Sequence, residues 1–131
     1  MYMIQDNLAT HALGEETYQL SKERLQTGKV LEGTDFVILD CRDLKDEWNP
    51  PELYEKKLKE ASSIIQKHGK IVVCCGAGQS RSPAIALGIL AGYYGMDFYD
   101  AWSLVRTKVP IAQIEPAHFA SLKDLLKVGR P

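Results

Sequence analysis

The stretch that decides the fold is Ile71-Val-Val-Cys-Cys-Gly-Ala-Gly-Gln-Ser-Arg-Ser-Pro83. Ile71 to Cys74 are apolar and mostly β-forming, so they read as a strand buried on both faces. Gly-Ala-Gly follows as a loop. Ser-Arg-Ser-Pro then opens a helix, with Pro83 in the first turn, where a missing N–H costs nothing. A thiol at the end of such a strand faces successive backbone N–H groups and a helix N-terminus, where negative charge is stabilised. Cys75 is therefore expected to be a solvent-accessible thiolate, because cysteines in such settings have pKa values lowered from about 8.5 to roughly 3.5–7.5. It reads as a nucleophile that needs no separate base. Gly76 and Gly78 allow turns closed to other residues and a close backbone approach to an oxyanion. The planar fork of Arg81 can hold two phosphate oxygens, and the Ser82 hydroxyl can donate to the sulfur and help it leave. Singly, each residue is ordinary: an apolar cysteine, a surface arginine, a turn glycine. The conjunction of strand, glycine loop and helix start is what points to anion chemistry.

Working outward, Phe36-Val-Ile-Leu39 is a second short buried strand. Between the two, Asn49-Pro50-Pro51 starts a helix in which Leu53, Tyr54, Leu58, Ala61, Ile64 and Ile65 keep helical spacing until Gly69. An earlier helix is expected from about Glu15 to Gln26, closed by Gly28. Ser82 to Tyr94 is apolar almost all round and predicts one helix at the centre of the domain. Asp97 can cap a further helix, with Asp100 at its third position and Ala101, Trp102, Leu104 and Val105 inward. A last helix is expected from Pro116, carrying Phe119, Leu122, Leu125 and Leu126. Strands alternating with helices, and no linker or repeat, predict one α/β domain over residues 1–131. Its sheet should be central and mostly parallel with helices on both faces, the loop lying between a central strand and a buried helix.

Composition narrows the function. The chain has 131 residues and a formal net charge of −1, with both signs interspersed, so no broad basic face for nucleic acid or an anionic membrane is expected. The longest near-apolar run, Ala84 to Met96, is shorter than the roughly 20 residues of a membrane span. No secretory signal is visible at the start, and three cysteines, two of them adjacent, suit a reducing compartment. A cytoplasmic protein with free thiols is expected. A nucleophile activated by its surroundings and an arginine clamp require no metal or other cofactor.

Residues 74–82, Cys-Cys-Gly-Ala-Gly-Gln-Ser-Arg-Ser, resemble the loop His-Cys-x-Ala-Gly-x-Ser-Arg-Ser of the cysteine-dependent protein-tyrosine phosphatases, in particular their compact dual-specificity branch. Only the first position differs, where Cys74 stands for histidine. Pro83-Ala-Ile-Ala-Leu-Gly-Ile-Leu and Gly95-Met-Asp-Phe-Tyr-Asp-Ala-Trp-Ser-Leu-Val-Arg106 are similar to the family's helix pair, so the resemblance covers about residues 36–126. It implies a phosphoric monoester hydrolase acting on phosphotyrosine, and on phosphoserine or phosphothreonine, in proteins. Cys75 would attack phosphorus while Arg81 and the loop Gly76, Ala77, Gly78, Gln79 and Ser80 bind the phosphate. The family draws its general acid from an aspartate after an upstream strand. Asp43, 32 positions before Cys75, is the first choice for that role and Asp46 the second, with Asp40 close to the strand.

The family's Asn-containing segment near the last helix corresponds to Glu115-Pro-Ala-His-Phe119, where His118 reads as a partly exposed helix-start residue. The short N-terminal part implies a shallow, open pocket. A loop with no Lys or Arg besides Arg81 argues against a polyphosphorylated inositol lipid and weakens an RNA 5′-triphosphatase reading. The alternatives are a phosphatase of a non-protein phosphate ester such as RNA 5′-phosphates, a catalytically weak phosphopeptide-binding relative, or sulfur transfer. Cys41, near the proposed acid, could trap an oxidised Cys75 as a disulfide.

Overall fold

The computed structural model describes residues 1–14 and 25–129. Its sheet has the order β1-β2-β4-β3, built from β1 (Tyr2–Gln5), β2 (Leu8–Ala12), β3 (Val37–Asp40) and β4 (Ile71–Cys75). β4 is paired in parallel on both edges, with β2 in the register Ala12↔Cys75 and with β3 in the register Asp40↔Cys74. β1 runs antiparallel to β2 through the Asp6-Asn7 turn. The sheet is thus mostly parallel, as expected, with an antiparallel edge strand that the sequence reading left out. Asp6-Asn7, two turn-forming residues between two short, partly apolar runs, is the local trace of that hairpin.

Parallel neighbours share a face. Val37, Leu39, Ile71 and Val73 join one core with Tyr54, Ala61, Ile85, Leu87, Val105 and Leu122, which belong to α1 (Pro51–His68), α2 (Arg81–Gly88), α3 (Phe98–Lys108) and α4 (Pro116–Leu125). The opposite face carries Ala9, Ile38, Val72 and Cys74, covered by Phe36, Leu31 and Leu13. Among the described residues, then, the helices stand on one face and not on both. The helix expected at Glu15 to Gln26 falls largely outside the described residues. Where that segment is described, Gln26 is not helical and Gly28 lies in a turn (φ +93°) whose N–H bonds to Ile38 O.

The helix boundaries follow local chemistry. α1 has Pro51 in its first turn and ends at Gly69 in the left-handed conformation, and α3 starts where the Asp97 carboxylate accepts from the amides of Tyr99 and Asp100. The single helix expected over Ser82 to Tyr94 is instead α2 followed by a π-helical turn, Ile89–Tyr93, closed by Tyr94 N–H on Ile89 O. The widening adjoins two close helix approaches. A Cβ on Gly88 would stand 3.0 Å from a Leu58 methyl and 3.2 Å from a Leu122 methyl, and one on Gly92 would stand 3.1 Å from a Leu126 methyl. Sequence periodicity carries no sign of a π turn, because it changes the ladder by a single residue.

These contacts predict that Gly88→Val lowers stability by about 2 kcal/mol, the usual scale of overpacking a filled core. The readout is the urea midpoint at unchanged m-value; an unchanged midpoint would show that α1 and α4 yield freely at this crossing.

Candidate active site

Cys75 is the last residue of β4, and its side chain stands on the helix-covered face at 1% exposure. The accessible nucleophile expected from sequence is thus sunk into the base of the loop. Its Sγ accepts the N–H of Gly78 at 3.3 Å and lies 3.3 Å from Ser82 Oγ, at the start of α2. Gly78 has φ +75°, and a Cβ there would stand 3.4 Å from that of Ala12. Gly76 is not in the left-handed region, so the conformational need for glycine rests on one position and not on two.

The outer side of the loop is tied down by main chain. Leu13 and Gly14 N–H donate to the carbonyls of Cys75 and Gly76, and Gln113 N–H donates to Gln79 O. Ser80 is buried with its hydroxyl accepting from Glu115 N–H, so it acts in the scaffold, whereas Ala77 and Gln79 are exposed. Arg81 Nη1 donates to Leu44 O at 2.8 Å and to Arg42 O at 3.3 Å. The residue read as the phosphate clamp therefore holds the main chain on both sides of Asp43.

The three candidate acids separate cleanly. Asp40 is fully buried in an ion pair with Arg42 at 2.8 Å, on the far face of the sheet. Burial works against its charge, but Arg42 and the amides of Gln26 and Arg42 outweigh it and hold the carboxyl below its usual range. Asp43 turns Oδ1 to Lys57 Nζ at 2.8 Å and faces a cleft of about 200 Å³ beside Leu25 and Thr27. Asp46 bonds through Oδ1 to His118 Nε2 at 3.1 Å. The structure thus brings Cys75, Gly78, Ser82 and Arg81 together with the 42–44 backbone. The Asp43 carboxylate itself is engaged to one side.

Sequence reasoning missed Lys57, although it lies three residues from Tyr54 and four from Ala61, on the apolar stripe of α1. It is buried, and Nζ also donates to Asp40 O at 2.9 Å. His118, expected to be partly exposed, is fully buried, with Nδ1 2.7 Å from Tyr54 Oη. Cys74 is buried on the far face between His11 and Asp40, its cross-strand neighbours, and burial pushes its thiol up to about 12.

Two predictions follow from this geometry. His118 faces Asp46 and Glu115, which favour its charged form, and Arg81, which disfavours it, with the Tyr54 hydroxyl on its other nitrogen; burial dominates and lowers its pKa. Below pH of about 6.5 the unfolded chain takes a proton that the native one refuses. Stability therefore falls as pH drops through that value, by at most about 1.4 kcal/mol per pH unit from one group. Urea midpoints at pH 7.5 and 5.5 should drop further for wild type than for His118→Gln, and equal drops would remove His118 as the source.

The second concerns Cys41, which is buried and donates its N–H to Cys74 O, placing it beside Cys75 at the usual parallel spacing of about 4.8 Å. If peroxide oxidises the Cys75 sulfur to a sulfenic acid, attack by the Cys41 sulfur on that sulfur releases hydroxide and forms the disulfide. Burial pushes the Cys41 thiol well up, so the bridge should form slowly and its yield should rise with pH. Peptide mapping after peroxide at pH 7 and 9 tests this; no Cys41–Cys75 cross-link at either pH rejects it.

No family model and no curated protein matches the sequence. Solved structures do. Tk-PTP in its active form matches with a TM-score of 0.69 at 17% identity, over 96% of this chain and 95% of that one. A single-residue variant of human DUSP28 matches with a TM-score of 0.69 at 16% identity, over 96% and 93%. In the match to human DUSP28 itself (TM-score 0.58, 20% identity), 64% of this chain is covered and it spans 58% of that protein's length. The leucine rich repeat and phosphatase domain containing protein from Entamoeba histolytica matches with a TM-score of 0.54 at 25% identity, over 69% of each chain. With its parallel core, its strand-to-helix cysteine loop and these neighbours, the chain has the fold of the protein-tyrosine and dual-specificity phosphatases.

Proposed function

We propose that this protein is a phosphoric monoester hydrolase that works through a phosphocysteine, with phosphotyrosine and phosphoserine or phosphothreonine in proteins as its substrates. The observation that carries the reading is the Cys75 sulfur, held by the Gly78 N–H and beside Ser82 Oγ at the N-terminus of α2. Sulfur attacks phosphorus as the ester P–O bond breaks, and Asp43 gives its proton to the departing oxygen. Water then attacks phosphorus, the S–P bond breaks, and Asp43 takes the water's proton while Ser82 donates to the leaving sulfur. The Arg81 fork and the amides of residues 76–81 supply the positive field around the equatorial oxygens, a role that in other phosphoryl-transfer sites falls partly to metal ions.

Asp43 fits the acid role through its second oxygen. Oδ1 is paired with Lys57 Nζ at 2.8 Å, so Oδ2 is the oxygen assigned to the leaving group. The side chain is about a quarter exposed at 23%. A second reading, a phosphopeptide-binding protein with little turnover, is favoured by Cys74, a buried thiol where the family's loop has histidine.

One experiment separates the two. Hydrolysis of an aryl phosphate should be lost by at least about 100-fold in Cys75→Ser, which still binds tungstate, and Arg81→Lys should be similarly impaired because an ammonium lacks the two-pronged fork. Turnover close to wild type in Cys75→Ser rejects covalent catalysis. A wild-type protein that binds phosphopeptide but shows no Cys75-dependent turnover supports the binding reading.

A further inference from the structure

The hydroxyl of Tyr54, both nitrogens of His118 and one oxygen of Asp46 form a single run from the core to the surface. Asn49 Nδ2 donates to Tyr54 Oη at 3.2 Å, Tyr54 Oη meets His118 Nδ1 at 2.7 Å, and His118 Nε2 meets Asp46 Oδ1 at 3.1 Å. A carboxylate only accepts, so Nε2 carries the imidazole proton and bare Nδ1 accepts from the Tyr54 O–H. Every donor then points the same way along the run, with a neutral imidazole in the middle.

The run closes on the loop that carries Asp43. Asn49 Oδ1 accepts the Lys45 N–H at 2.9 Å, and Asn49 Nδ2 also donates to the carbonyls of Lys45 and Glu47. Residues 45–49 are thereby folded around one amide side chain. On the other flank, Arg81 grips the carbonyls of Arg42 and Leu44. Asp43 sits between two anchors, Arg81 on one side and the His118 run on the other.

Resting on the hydrolase reading above, we propose that Asp46 is a positioning residue: through His118 and Tyr54 of the core it latches the loop that presents Asp43, and it donates no proton to the substrate itself. Its side chain is 54% exposed while His118 is at 0%, so the exposed loop is pinned to a group that cannot itself move without disturbing the core. A loop held at one end only by Arg81 would lose that hold whenever a bound phosphate drew the guanidinium inward. The second anchor keeps Asp43 in place at that moment.

The roles separate by side-chain chemistry. Asn at position 46 still offers an oxygen to His118 Nε2–H but has no acidic proton, whereas Ala offers neither. Asp46→Asn should retain kcat within about 2-fold on both phenyl phosphate and 2,4-dinitrophenyl phosphate. Asp46→Ala should lose about 10-fold in kcat on phenyl phosphate and less than about 2-fold on the dinitrophenyl ester, which needs little protonation, at unchanged KM. Asp43→Asn should lose about 100-fold or more on phenyl phosphate. In a double-mutant cycle, His118→Gln with Asp46→Ala should cost no more than Asp46→Ala alone.

Amide exchange gives a readout independent of turnover: the Lys45 amide should exchange faster in Asp46→Ala and at the wild-type rate in Asp46→Asn. The proposal is overturned if Asp46→Asn is as impaired as Asp43→Asn, if Asp46→Ala slows both esters equally, or if Lys45 exchange is unmoved by Asp46→Ala. A wild-type protein without Cys75-dependent turnover overturns the hydrolase reading and the catalytic role of the latch with it. Accelerated Lys45 exchange in Asp46→Ala would in that case show that the latch itself stands.

Discussion

The site depends on one constraint: β4 is hydrogen-bonded along both edges by strands running in its own direction. Parallel strands end together, so the segments leaving β2, β3 and β4 emerge at the same edge of the sheet, where ligands gather in open α/β sheets. Those segments are Leu13–Gly14, the 41–49 loop and the 76–80 loop. Each then bonds to another: Leu13 and Gly14 donate to the cysteine loop, and Arg81 behind it donates to the 42–44 carbonyls. Had β3 run antiparallel, the carboxylate loop and the thiol would lie at opposite ends of the sheet.

Arg81 carries two duties, because a guanidinium has five N–H donors in a rigid fork, and a phosphate that draws the fork inward competes with its hold on the loop. The carbonyls of Leu44 and Arg42 take Nη1, leaving other donors for an anion. The loop is thereby held by the same group that would hold phosphate. Lys57 completes the arrangement from α1: its ammonium is buried, which is costly for a charge, but Asp43, Asp40 O and Glu60 surround it. Removing one partner of such a cluster costs more than the cluster contributes, since the remaining charge is then buried alone. The position of Asp43 is thus coupled to helix packing as well as to Arg81.

The chemistry of the loop was legible because it is local. Strand, glycine turn and helix start follow one another within residues 71–83, and each step has a short-range signature. Element identity was legible for the same reason: Pro51, Gly69, Asp97 and Pro116 mark their boundaries in one or two residues. The β1–β2 hairpin was overlooked despite its Asp6-Asn7 turn, because its strands are short and only partly apolar. What could not be read were pairings across the chain. His118 lies 64 residues from Tyr54 and 72 from Asp46, and nothing near any of the three announces the others. The choice between Asp43 and Asp46 has the same character. Spacing from Cys75 places both on the same loop, and only the partners of their carboxylates tell them apart.

Cys74 shows how the far face of the sheet bears on the site. Its side chain points away from Cys75, so whatever stands there acts on the cysteine loop through backbone and field and not by contact. It is flanked by Asp40, and the Asp40–Arg42 ion pair closes that corner, with Asp40 Oδ1 also accepting the Arg42 N–H. That pair sets the path of the chain as it leaves β3. The Arg42 carbonyl, one of the two that Arg81 holds, is placed by it. A small apolar thiol at position 74 leaves the ion pair undisturbed in its buried pocket, whereas a second cation there would compete with Arg42 for Asp40. Cys74 and the buried Asp40–Arg42 pair thus share one corner of the far face, which bears on the near face through the main chain.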